Sequence, residues 1–121
     1  MKLSENFRSE EFQCRCGCRA AQMQYKFISR LQRLRQAHGR PLIITSGFRC
    51  LPYNKAIHGA ADSRHGYGDA ADILVENAID RYDILQHALM LGFTGIGIGA
   101  NYVHLDIRET DAPLMWVYIT G

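Results

Sequence analysis

The run AADILV at residues 70–75 sets one carboxylate, Asp72, among apolar neighbours. A stretch this short and this apolar reads as a buried strand, and a lone carboxylate there is expensive unless it is paired or bound to a metal. The chain must therefore fold so that something meets Asp72. His65 stands seven positions earlier, in SRHGYGDAAD. That spacing is long for one regular helix face, but it suits a loop that turns back into a strand. Gly66, Gly68, Ala70 and Ala71 would let the backbone pass close to whatever lies beneath.

A catalytic metal site needs three protein ligands and one open position. NYVHLDI offers a third donor, because His104 alternates with Val103 and Leu105 and so shares a strand face with Tyr102 and Asp106. Asp106, on the same face, suits either a base or a partner that orients the ligand's ring. Plainer roles stay open for each: a satisfied core or edge position for a strand histidine, a helix cap or salt bridge for Asp72, a solvated position for Asp106.

The rest of the chain predicts an α+β domain, an antiparallel sheet packed with helices. Residues 20–38 read as an amphipathic helix with Phe27, Leu31 and Leu34 on one face, stopped by Gly39 and Pro41. PLIITS reads as a strand, LPYNKAI as a brief helix with Pro52 in its first turn, and residues 70–75 as a second strand. A further helix starts after Asn77 as N-cap, carries Ile84, Leu85, Ala88 and Leu89 as its stripe, and closes at Gly92. TGIGIGANYVHLDI and LMWVYI predict two or three antiparallel strands joined by tight turns. GIGIG lacks the spacing of a dinucleotide fingerprint. His38, His58 and His87 are expected at surface positions or helix ends, and Trp116 in the core.

At 121 residues the chain is expected to be one domain, 1–121, with a core that needs no disulfide. A formal charge of +2 announces no nucleic-acid partner, and no apolar run approaches the roughly 20 residues a membrane helix needs. MKLSENFRSEEF lacks the apolar segment of a signal peptide, so synthesis in the cytoplasm is expected. Cys14, Cys16 and Cys18 stand closer together than in a C-x-x-C zinc knuckle, with Cys50 downstream. Free thiols, one disulfide to Cys50, and a second metal site are all compatible with that pattern.

SRHGYGDAADI resembles the S-x-H-x-x-G-x-A-x-D-I motif of the M15 zinc peptidases, the D-Ala-D-Ala carboxypeptidase group, at Ser63, His65, Gly68, Ala70, Asp72 and Ile73. TSGFRC with Asn54 resembles that family's S-G-[YF]-R segment, and YVHLDIR its last metal-ligand strand. FRSEEFQC and MWVY are similar to the ends of its smaller bacterial and phage members. The resemblance implies the hedgehog/DD-peptidase fold and a Zn2+ ion held by His65, Asp72 and His104. It implies that Arg49 reaches the substrate near the metal and that Ser63 lies beside the first ligand as a substrate-binding residue. Many members place an acid three positions before the last ligand as general base; here that position is Asn101. Asp106 is then the expected base, with Asp62, Asp69 and Glu109 as the other nearby carboxylates.

The function implied is cleavage of the peptide stems of bacterial peptidoglycan by a monomer without nucleic-acid partner or stable membrane insertion. It would act at the cell wall, as in a phage lysis enzyme released through a holin. Two rivals stand beside it: a zinc-bound but non-catalytic binding module, and an interaction protein in which the cysteines hold a structural zinc.

Overall fold

The computed structural model describes residues 1–60 and 62–119. Three helices, α1 (Tyr25–His38), α2 (Leu51–Ala56) and α3 (Ala78–Met90), accompany five strands, β1 (Ile44–Ser46), β2 (Ala70–Leu74), β3 (Gly95–Ile98), β4 (Tyr102–Asp106) and β5 (Leu114–Val117). Short 3-10 turns cover Ser9–Phe12 and Arg64–Tyr67. The strands form one sheet in the order β1-β2-β4-β3-β5, so the architecture is α+β.

Strand alternation divides the sheet into two faces. Ala71 and Ile73 of β2, Ile96 of β3, and Val103 and Leu105 of β4 join Phe27, Leu31 and Leu34 of α1 and Ile84 and Ala88 of α3 in one apolar cluster. Burying the Val, Leu, Ile and Phe side chains among them contributes about 1.5–3 kcal/mol each. The intervening positions, Asp72, Gly95, Gly97, His104 and Asp106, belong to the opposite face.

The N-terminal segment is fastened to α1 by the buried Gln32, which accepts from Ser4 Oγ (2.6 Å) and the Asn6 amide (2.9 Å) and donates to Asn6 Oδ1 (2.7 Å). Asn77 caps α3 by accepting from the Asp80 amide at 2.8 Å.

Several boundaries differ from the sequence expectation. Helix α1 starts at Tyr25, because the Gln24 amide donates to the Gly68 carbonyl (2.8 Å) and holds the preceding segment against the Arg64–Tyr67 turn. Strand β1 starts at Ile44, not Pro41. Leu89 is 57% exposed, so the buried stripe of α3 is Ile84 and Ala88. The C-terminal strands are not all antiparallel: β5 pairs parallel with β3, because residues 107–113 carry the chain past β4 to the far side of β3. No described helix is long and apolar enough to cross a membrane.

Candidate active site

One cross-strand row builds the site. Ser46 of β1 pairs with Asp72 of β2, Asp72 with His104 of β4, His104 with Gly97 of β3, and Gly97 with Trp116 of β5. His65 comes to this row from the Arg64–Tyr67 turn, which Ser63 caps by accepting from the His65 amide. Asp72 Oδ1 lies 3.2 Å from His65 Nε2 and 3.1 Å from His104 Nδ1, and the two ring nitrogens are 3.2 Å apart. All three residues are buried.

The far nitrogen of each ring fixes its near one. His65 Nδ1 lies 2.8 Å from the Gly47 carbonyl, which can only accept, so that nitrogen carries the proton. His104 Nε2 lies 2.7 Å from Asp106 Oδ2 and donates to it. With both rings in the neutral form, His65 Nε2 and His104 Nδ1 present lone pairs to one another and to a carboxylate. Three acceptors at this separation cannot satisfy each other, so the triangle suits a positive charge among them, a shared proton or a metal ion. Ligand bonds of about 2.0–2.2 Å in a tetrahedral site put neighbouring N and O donors about 3.4 Å apart, close to the observed triangle. The donor set fits a zinc ion with a fourth position open.

The charges around it agree. Burial opposes the Asp72 anion, but the His104 and His65 rings packed against it outweigh that and hold its carboxyl well below the usual range. Burial likewise pushes His104 toward the neutral ring, while Asp106 and Asp72 pull harder the other way, so its pKa is raised. Two carboxylates thus face one ring, and the pocket favours positive charge.

Asp106 was expected to be the base, and its surroundings do not suit that work. Its side chain is wholly buried and engaged on every side. Oδ2 takes His104 Nε2 and Arg108 Nη2 (2.6 Å), while Oδ1 takes the Arg108 amide (3.1 Å) and Nε (3.0 Å). Burial disfavours this charge, and His104 and Arg108 more than compensate, so the carboxyl stays ionised far into acid. It faces the rear nitrogen of His104, away from the three donors.

In front of the donors lies a cleft of about 430 Å³. Arg49 enters it with Nη2 3.5 Å from Asp72 Oδ2, steadied by Ser46 Oγ (3.2 Å) and Asn54 Oδ1 (3.4 Å). Ser63 also lines the cleft. The opposite wall is aromatic: the Trp116 ring lies 5.4 Å from His104, Arg108 packs 5.1 Å over Trp116, and Tyr118 lies 5.4 Å from Tyr102. Trp116 is therefore half-buried in the cleft wall and not in the core as expected.

GIGIG makes room for this arrangement. A Cβ on Gly95 would strike the Asp106 carboxylate, and one on Gly97 would lie 2.6 Å from Trp116 Nε1 and 2.8 Å from Tyr118 Cε2. Sequence reading missed this use of the glycines, although their two-residue spacing was its signal.

The remaining candidates separate. Asp62 is exposed and lines the cleft, as does His58. Asp69 is buried and ion-paired to Arg64. Glu109 lines other depressions, outside the cleft. His38 is buried at the end of α1 between Asp80 (3.2 Å from Nε2) and Asp83, a structural position.

Residues 4–106 match the family model described as Peptidase M15. Over 45 residues, 36% of this chain, the sequence is 44% identical to a zinc D-Ala-D-Ala carboxypeptidase of Streptomyces albus G. The matched stretch is 18% of that relative, so the chain spans less than a fifth of its length.

Proposed function

The chain belongs to the peptidase M15 family, and on that premise we propose that it is a zinc-dependent peptidase acting on the peptide stems of bacterial peptidoglycan. The observation that carries this reading is the pair of opposed histidine lone pairs beside Asp72 at the floor of a cleft. His65, Asp72 and His104 would hold the metal. Zinc in such a site supplies Lewis acidity toward a peptide carbonyl and brings a coordinated water to ionise near pH 7.

The chain's own residues do the rest. Arg49 presents a planar fork beside the metal ligands, suited to a substrate carboxylate or to the charge that develops on the scissile carbonyl. Asp62 is the carboxylate in the described cleft lining that is not a metal ligand, so it takes the role of proton acceptor that Asn101 cannot. Asp106 holds the His104 ring with Nδ1 forward and acts through that ring alone. Trp116 and Tyr118 form an apolar wall against which a peptide stem lies and which limits water around the reacting bond. Ser63 sets His65 and contributes its edge of the cleft to the substrate.

Such chemistry calls for work at the cell wall, in remodelling or in phage lysis. The matched relative's name favours removal of a terminal D-alanine. The test is digestion of purified peptidoglycan by the zinc-loaded chain, with mass spectrometry of the fragments. Loss of one alanine from pentapeptide stems is the expected product. A second reading, a zinc-bound binding module, draws on Asn101, which is exposed at the turn before β4. No cleavage of any stem by a fully loaded chain would favour it.

A further inference from the structure

The second cluster of donors lies outside the cleft. Cys14, Cys16, Cys18 and Cys50 bring one sulfur each to within 4.8 Å of all the others. Three of these sulfurs form a nearly equilateral triangle: 3.5 Å from Cys14 to Cys16, 3.6 Å from Cys14 to Cys50, and 3.6 Å from Cys16 to Cys50. Zinc–sulfur bonds of about 2.3 Å in a tetrahedron put neighbouring sulfurs about 3.8 Å apart. A disulfide would use two of the four and would not need the others gathered round it.

The backbone is shaped to make this gathering possible. Gly17 (φ 96°) and Arg19 (φ 64°) both adopt the left-handed conformation, so the loop curls and brings its alternate cysteines toward one another. The Cys14 amide closes that loop on the Ala20 carbonyl at 2.7 Å. The Cys50 amide lies 3.5 Å from Cys14 Sγ and donates to it, the kind of contact that stabilises a metal-bound thiolate. A left-handed non-glycine residue costs about 1–3 kcal/mol, which the contacts of the gathered loop must offset.

We propose that Cys14, Cys16, Cys18 and Cys50 form a closed tetrahedral site for a second zinc ion, distinct from the one in the cleft. All four ligands come from the protein, so no position is left for water or substrate, and the site is structural. On binding, the thiols release their protons to solvent and coordinate as thiolates. The ion joins the loop of residues 14–18 to Cys50, which directly follows Arg49. The substrate arginine is thereby held at both ends of its segment, by β1 before it and by the metal after it.

The experiment is zinc determination on the full chain, purified under reducing conditions with zinc supplied, followed by cobalt(II) substitution. The wild type should hold two metal ions per chain. His104→Ala should hold one, and its cobalt form should keep the intense near-ultraviolet absorption of sulfur-to-cobalt charge transfer. The double variant C16S/C18S, altered at exposed positions, should also hold one and lose that absorption. One zinc per wild-type chain that disappears in His104→Ala would overturn the thiolate site and leave the peptidase reading standing. Four thiols that react freely with a disulfide reagent in the zinc-loaded wild type, or a Cys14–Cys50 disulfide in it, would overturn the thiolate site as well. Zinc lost only in the cysteine variant would support the thiolate site and count against the peptidase reading instead.

Discussion

The two donor clusters are built on opposite plans. His65, Asp72 and His104 are buried, two of them on paired strands, and a carboxylate behind His104 fixes its ring. The cysteines sit on loops, two of them exposed, with a backbone amide as support. Three donors with a cleft in front leave a coordination position for chemistry, whereas four donors leave none. Where a site must react, rigidity comes from the sheet. Where it must only hold, a bound ion would itself supply the rigidity.

His104→Ala should have the largest effect on this contrast. It should abolish peptide cleavage and remove one zinc while the chain stays folded, since the apolar cluster lies on the other face of the sheet. Metal analysis beside circular dichroism checks it. Loss of both ions together would mean that the clusters are not independent. Next, Asp62→Asn should cost about 100-fold or more in turnover with zinc retained. Asp106→Asn should instead weaken the cleft metal by about 10- to 100-fold, read by competition with a chelator. If Asp106→Asn lost turnover at full zinc occupancy and Asp62→Asn kept it, the two assignments would be exchanged. Arg49→Lys keeps the charge but loses the fork, and kcat/KM should fall by roughly 100-fold with both metals in place. Equal activity of the lysine variant on muropeptides would take Arg49 out of the site.

The elements that place the site were largely legible because they are local. Asp72 in an apolar run and His104 in strict alternation each declare a strand and a face. What stayed hidden depends on partners far along the chain. That Asp106 is sealed behind His104 follows from Arg108 closing over it, and Gly95 leaves the space for its carboxylate. Trp116 looked like core because aromatic size cannot tell a core from a cleft wall. Only the parallel pairing of β5 with β3, made over a long connection, lays it beside His104. The cysteine pattern left three readings open because Cys50 reaches the other three only through the tertiary fold.

The row from Ser46 to Trp116 makes strand alignment a condition of chemistry. A slip of one residue between β2 and β4 would put Val103 or Leu105 opposite Asp72 and turn His104 toward the helices. An ion bridging Asp72 and His104 would stabilise only the correct alignment, by a free energy that grows with the logarithm of its concentration above the dissociation constant. Misaligned chains would gain nothing from the metal, so zinc supply during synthesis would act as a selector among folding outcomes, weighting the yield of native sheet before any substrate is met.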